Sequence, residues 1–272
     1  MLLAQRAPRP PARLPLPSQR RLFFVAAGLL IAGETIFWTV LAAVQSKSGV
    51  AALDGPVHDG LVASRNPLAT ALLTAVTTVT SPLWMTVIGC ALALAWAAWK
   101  RELWRPGLLI GAMAATFAVS TLIKDDVGRG RAAASDFLLG PDDALSFPSG
   151  HTFGAGVFLG VLCYLLVAGR GTRTGKQSTA ILGFTAAAAV TLVVALSRLY
   201  LGYHWLTDVL ASMGLALAVI GIVILADGLR AAQAPRPAGP IPAEPVPAEP
   251  VLAEPVPSEP GAHRLGDHHS RG

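Results

Sequence analysis

The 272-residue chain is 53% apolar and only 14% charged, with a mean hydropathy of +0.55. A soluble domain carries about 25% charged residues, so this composition excludes an ordinary soluble globule. The net charge of +5 does not point to nucleic acid, because Lys and Arg lie between apolar blocks and in the N-terminal tail.

Residues 1–21 are rich in Pro and Arg and read as a disordered basic tail. The first apolar block runs from about Leu22 to Val44. It exceeds the roughly 7–15 residues of a signal-peptide core, which favours an uncleaved span. A polar stretch, 45–66, follows. Residues 68–99 are apolar but broken by Ser81-Pro82. Proline disfavours a helical residue before it. The break predicts a short interfacial helix over 68–80 and a second span over 82–99, with one long kinked helix as the alternative. Further spans are predicted over 106–123, 151–168, 178–196 and 205–226.

The tail after Arg230 repeats a Pro-Ala-Glu-Pro-Val theme. Such a composition buries too little apolar area to offset chain entropy, so disorder is expected. The predicted architecture is therefore an all-α polytopic membrane bundle of six transmembrane helices plus a short interfacial helix. Its domain is 22–229, between tails at 1–21 and 230–272. Cys90 and Cys163 lie inside apolar blocks and read as small buried hydrophobes, with no disulfide or zinc pattern.

Lys and Arg cluster before the first span, between the second and third, between the fourth and fifth, and after the sixth. With six spans those segments share one side, and the positive-inside rule makes it cytoplasmic, both termini included. Loops 45–66, 124–150 and 197–204 then face outward. Yet loop 124–150 carries Lys124, Arg129 and Arg131. Basic residues set against the topology signal are candidates for holding an anion.

Three outward segments carry chemistry: Lys124 to Arg131, Ser146 to His151, and Ser197 to Asp208. Phosphoryl transfer is mostly positioning and charge stabilisation. Arg131 and Arg198 supply forks for phosphate oxygens, and Lys124 a point charge. Ser149-Gly150 stands where a helix begins, and a helix N-terminus presents free N–H groups to an anion. His204 and Asp208 are four apart and share a helix face, so the carboxylate can take the Nδ1 proton and present Nε2 as nucleophile. His151 is placed to protonate a leaving oxygen and then activate water.

These segments resemble the type 2 phosphatidic acid phosphatase family, the lipid phosphate phosphatases, with their K-x6-R-P, P-S-G-H and S-R-x5-H-x3-D motifs. The chain has Lys124-x6-Arg131, Pro148-Ser149-Gly150-His151 and Ser197-Arg198-x5-His204-x3-Asp208, over roughly 105–215. Ala132 departs from the family's proline but leaves every charged position filled. The resemblance implies a phosphohistidine on His204, with Asp208 orienting it and His151 as general acid. It also implies a phosphate pocket of Lys124, Arg131, Ser149, Gly150 and Arg198, and no metal or cofactor. Its substrates are lipid phosphates of the phosphatidate, phosphatidylglycerol phosphate or undecaprenyl diphosphate kind.

Other features have plainer readings. The Asp-rich stretch 125–143 reads as a solvated face rather than an ion loop. The pairs Gly150/Gly154 and Gly156/Gly160 suit close helix packing, and Glu34 needs a structural partner. Tyr200, Tyr203 and Trp205 fit an interfacial aromatic belt. Arg129, outside the strict motif, and His58 and Asp59 in the first outer loop are possible headgroup contacts. The rival reading is a transporter or channel, but its charges belong near the midplane and its halves should repeat. A soluble haloperoxidase-like use of the pocket, holding vanadate, conflicts with six spans.

Overall fold

A computed structural model of the protein describes residues 16–168 and 176–233. These form eight α-helices and, among the described residues, no strand: α1 (Leu16–Ser46), α2 (Asp54–Ala63), α3 (Pro67–Val79), α4 (Pro82–Lys100), α5 (Trp104–Val127), α6 (Gly150–Ala168), α7 (Lys176–Tyr200) and α8 (Leu206–Gln233). Six of them, α1 and α4 to α8, are long and apolar enough to cross a bilayer. The all-α, six-span architecture expected from the sequence is what the chain adopts. The extreme N-terminal tail, the basic 170–175 loop and the Pro/Glu repeats fall outside the described residues.

The helix boundaries follow local chemistry. Asn66 and Ser81 cap α3 and α4, accepting from Ala69 N and Trp84 N, and a proline follows each cap. The apolar run 68–99 is therefore two helices rather than one kinked one. Some boundaries differ from expectation. Helix α1 starts at Leu16, so residues 16–21 belong to the helix, with Pro17 in its first turn, where a missing N–H costs nothing. Helix α7 runs on to Tyr200, which puts Ser197 and Arg198 on a helix instead of in a loop. The outer stretch 45–66 contains α2 and a preceding short turn of 3-10 helix.

Helix α6 is the centre of the bundle and touches α4, α5, α7 and α8. Phe153, Val157, Val161 and Leu165 repeat every four residues and are fully buried, while Thr152 and Ala155 on other faces are buried too. Helices α4 and α7 turn Leu83, Leu94 and Leu182 outward, as lipid-facing spans do. Cys90 is also exposed, contrary to its expected burial, because it shares the outward face of α4 with Leu83 and Leu94.

Helix α1 packs along α8 more extensively than any other pair of helices meets. Glycines set the separation. A Cβ at Gly214 would lie 2.8 Å from Gly33 O, and one at Gly221 would lie 2.7 Å from Ala26 O. Small residues let the backbones approach this closely in a medium that offers no hydrophobic drive. Gly156 does the same for α6, where an added Cβ would meet that of Ala216 at 2.9 Å; Gly154 has open space beside it and packs nothing. Glu34 finds its partner on its own helix, accepting from Trp38 Nε1 at 2.8 Å.

Candidate active site

The C-terminal ends of α5 and α7 and the N-terminal ends of α6 and α8 lie together, and the three motif segments sit on them. Lys124 occupies the last turn of α5. Gly128 closes that helix in the left-handed region (φ 61°), its N–H donating to Lys124 O at 2.9 Å, and the chain reverses. Ser146 then ties the loop shut. Its N–H donates to Arg129 O at 2.8 Å and its hydroxyl to Gly130 O at 3.0 Å. Phe147 is fully buried, 6.1 Å from the ring of Phe37, and anchors the start of α6 to α1. The α7–α8 turn needs Gly202 (φ 88°), since a side chain there would strike Asp136 O and Arg65 Nη2.

His204 and Asp208 form the pair that their spacing predicts. Nδ1 of His204 lies 3.2 Å from Asp208 Oδ2, and both side chains are almost wholly buried. The other ring nitrogen, Nε2, lies 3.3 Å from Arg131 Nη1. A guanidinium only donates and a carboxylate only accepts. The tautomer follows: Nδ1 carries the proton and Nε2 presents its lone pair. Burial, and then the charges of Arg198, Arg131 and Lys124, hold the His204 pKa well below its ordinary value. The ring is therefore neutral at physiological pH. Asp208 Oδ2 also accepts the Trp205 N–H at 2.9 Å, the third-position carboxylate of a capping box that opens α8.

The three cations of the predicted phosphate pocket surround this pair. Arg131 donates from Nε to Ala144 O at 2.6 Å and from Nη1 to Tyr203 O at 2.6 Å, and its Nη2 pairs with Asp142 at 2.9 Å. Lys124 Nζ donates to Leu145 O. Arg198 is different. It is buried, its Nη1 donates only to the hydroxyl of Thr77 at 2.8 Å, its plane lies 4.5 Å from the Tyr203 ring centroid, and its Nε has no partner. No carboxylate pairs with it among the described residues. His151, in the first turn of α6, has Arg198, His204, Arg131 and Lys124 as ionisable neighbours.

All eight sequence-predicted site residues thus lie at one end of the bundle. Ser149 is fully buried and internally bonded: its hydroxyl lies 3.1 Å from Thr152 Oγ1, its N–H donates to Asp208 O at 3.4 Å and its carbonyl accepts from the Ser212 hydroxyl at 3.1 Å. A Cβ on Gly150 would meet only Ser120 Oγ at 3.9 Å, so this face of the helix start is open.

Other expectations change. Arg129 spends its fork on Asp54 and Asp208 rather than on open space. Tyr200 and Tyr203 are buried, not a lipid-interface belt. Tyr200 OH accepts from Asn66 N, and Tyr203 OH bonds Leu139 and Gly140 while its ring stacks on Phe137 at 4.8 Å. His58 is buried against Trp205 and pairs with Asp136, whereas Asp59 is exposed. Asp54, Thr77 and Thr207 join these residues without any signal in the sequence. Each acts on a residue more than 100 positions away, and no local pattern signals such a partner.

A six-span bundle that gathers a buried histidine–carboxylate pair and three basic side chains at one end defines a membrane protein with a centre suited to an anion. Residues 87–230, more than half of the chain, match the PAP2 superfamily. The chain belongs to that superfamily, as a multi-span membrane phosphatase. It is 25% identical over 193 residues to phosphatidylglycerophosphatase B of Bacillus subtilis (strain 168), covering 69% of this chain and 90% of that one. Its fold matches the crystal structure described as the first transmembrane PAP2 type phosphatidylglycerolphosphate phosphatase from Bacillus subtilis. The TM-score is 0.63 at 21% identity, over 72% of this chain and 96% of that chain.

Proposed function

We propose that the protein hydrolyses a lipid-linked phosphate monoester or diphosphate through a phosphohistidine on His204, at the outer face of the cell membrane. The observation that carries this is Arg198: a buried guanidinium with only neutral partners, beside a neutral imidazole whose Nε2 lone pair faces Arg131 Nη1 at 3.3 Å. A buried unpaired charge is costly, and a phosphate group removes that cost.

In this mechanism the headgroup sits among Arg131, Arg198 and Lys124 and against the start of α6 at Ser149 and Gly150, where Gly150 leaves the helix end open. Asp142 stands on Arg131 in its absence and yields as phosphate oxygens arrive. His204 Nε2 attacks phosphorus, the bond to the lipid oxygen breaks, and His151 gives that oxygen its proton. Asp208 steadies the Nδ1–H as the ring takes up charge. Water then gives a proton to His151 and attacks phosphorus, the P–N bond breaks, and inorganic phosphate leaves. The lipid approaches laterally from the outer leaflet, and both termini stay cytoplasmic.

The phosphatidylglycerophosphatase likeness favours a phosphatidylglycerol phosphate-type monoester. Phosphatidate and undecaprenyl diphosphate offer the same headgroup chemistry. Detergent-purified protein given a panel of these lipids is expected to release phosphate in the presence of EDTA. Release from none of them, or release abolished by EDTA, would contradict the reading. Solute flux in sealed vesicles without phosphate release would favour a transporter instead.

A further inference from the structure

We infer that Arg129 and Asp54 are positioning residues that set the charge and orientation of the His204–Asp208 pair from outside the phosphate pocket. The inference rests on the phosphatase reading for its turnover readout but not for its geometry. Arg129 Nη1 donates to Asp208 Oδ1 at 2.6 Å and to Thr207 Oγ1 at 2.7 Å, while Nη2 donates to Asp54 Oδ2 at 2.7 Å. Asp54 in turn accepts the Thr207 N–H at 2.9 Å on Oδ1 and the Thr207 hydroxyl at 2.7 Å on Oδ2. One guanidinium therefore bridges two buried carboxylates, and one of these also satisfies a first-turn donor of α8.

The consequence is a division of labour on Asp208. Oδ1 belongs to Arg129, and Oδ2 belongs to His204 and to the Trp205 N–H. With both oxygens claimed, the carboxylate cannot rotate away from Nδ1. Both terminal nitrogens of Arg129 are engaged, so it has no fork to offer a headgroup. The clamp also joins three distant parts of the chain: Asp54 at the start of α2, the loop after α5, and the start of α8. Helix α2 is thereby tied to catalysis, although it contributes nothing to the pocket itself.

Other charges face His204. Arg131 and Lys124 lie on the α5 side, with Asp142 on Arg131, and Arg198 reaches in from α7. His151 faces it from α6, and His58 of α2 lies behind Trp205. None of these changes in the two variants that test the clamp. Arg129→Gln removes a positive charge from beside the pair, so His204 takes a proton more readily and its titration midpoint rises. Asp54→Asn removes the negative charge that partly neutralises Arg129, so the midpoint falls. An amide at position 54 retains an oxygen for the Thr207 N–H.

The test is a titration of the full-length protein in detergent, labelled with 15N-histidine. The His204 signals are assigned by their absence in His204→Ala. The expected result is opposite shifts, about one pH unit upward for Arg129→Gln and downward for Asp54→Asn. Turnover of a lipid phosphate provides the second readout. Arg129→Gln and Arg129→Lys should each lose about tenfold or more in kcat with KM held, because lysine keeps the charge but cannot fork. Shifts of one sign in both variants, no shift in either, or a loss confined to KM would overturn the clamp. The titration decides the matter whether or not any lipid is hydrolysed, so failure of the phosphatase reading remains separate.

Discussion

His204→Ala is expected to lower kcat for phosphate release by at least about 10⁴-fold, leaving the bundle folded. Removing a covalent nucleophile costs the whole chemical route rather than one contact. The fold should survive because His204 lies in the short turn before α8, outside the α6-centred apolar core. Asp208 keeps its other partners, Arg129 and the Trp205 N–H, so the start of α8 stays capped. Lys124, Arg131 and Arg198 also remain, so the variant should still bind orthovanadate or phosphate. Phosphate release assayed against a thermal melt in detergent separates lost chemistry from lost fold. Full activity in a well-folded variant would remove His204 from the mechanism.

His151→Ala carries the second large effect, and its signature depends on the leaving group. General acid–base catalysis contributes about 10²–10⁴-fold, and His151 serves twice, once for the leaving oxygen and once for water. A lipid alkoxide leaves poorly unprotonated, so turnover of a lipid phosphate should fall across that whole range. The p-nitrophenolate of p-nitrophenyl phosphate needs no acid. With that substrate the first step survives, the second stalls, and stopped-flow absorbance should show a burst of one nitrophenolate per active site. An equal loss with both substrates and no burst would deny His151 the acid role.

The residues that meet at this end of the bundle were legible in the sequence because motif residues are short-range signals. His204 and Asp208 pair through a four-residue helical spacing, and Lys124 and Arg131 bracket one turn. The spans were legible because lipid demands long apolar runs. Their ends were less so. Helix α7 runs past its apolar block to Tyr200 because its last turn is held by tertiary partners: Arg198 bonds Thr77 and Tyr200 meets Asn66. Helix α1 begins at Leu16, just before a polar Ser-Gln-Arg-Arg stretch, and Pro17 was the available start signal.

Arg129 shows where sequence reasoning stops. Its place in a basic cluster suggested an anion, but its fork is spent on Asp54 and Asp208. Asp54 itself opens a short helix in a loop that reads as polar and featureless, and Thr207 looks like an ordinary first-turn residue. Nothing within a few positions of any of the three encodes their meeting. The same holds for Thr77, whose only distinction is the buried arginine it reaches. Tyr200 and Tyr203 read as interface residues because aromatic belts and buried loop anchors have the same composition, and only packing separates them.

The proposed route requires a covalent bond between phosphorus and one imidazole nitrogen. Protein bearing His151→Ala, incubated with p-nitrophenyl phosphate and quenched at alkaline pH, where phosphohistidine persists, should yield a peptide carrying one phosphoryl group on His204. The label should be absent when His204 is also replaced. A burst of nitrophenolate with no phosphoryl group on His204, or with the group on another residue, would contradict the account.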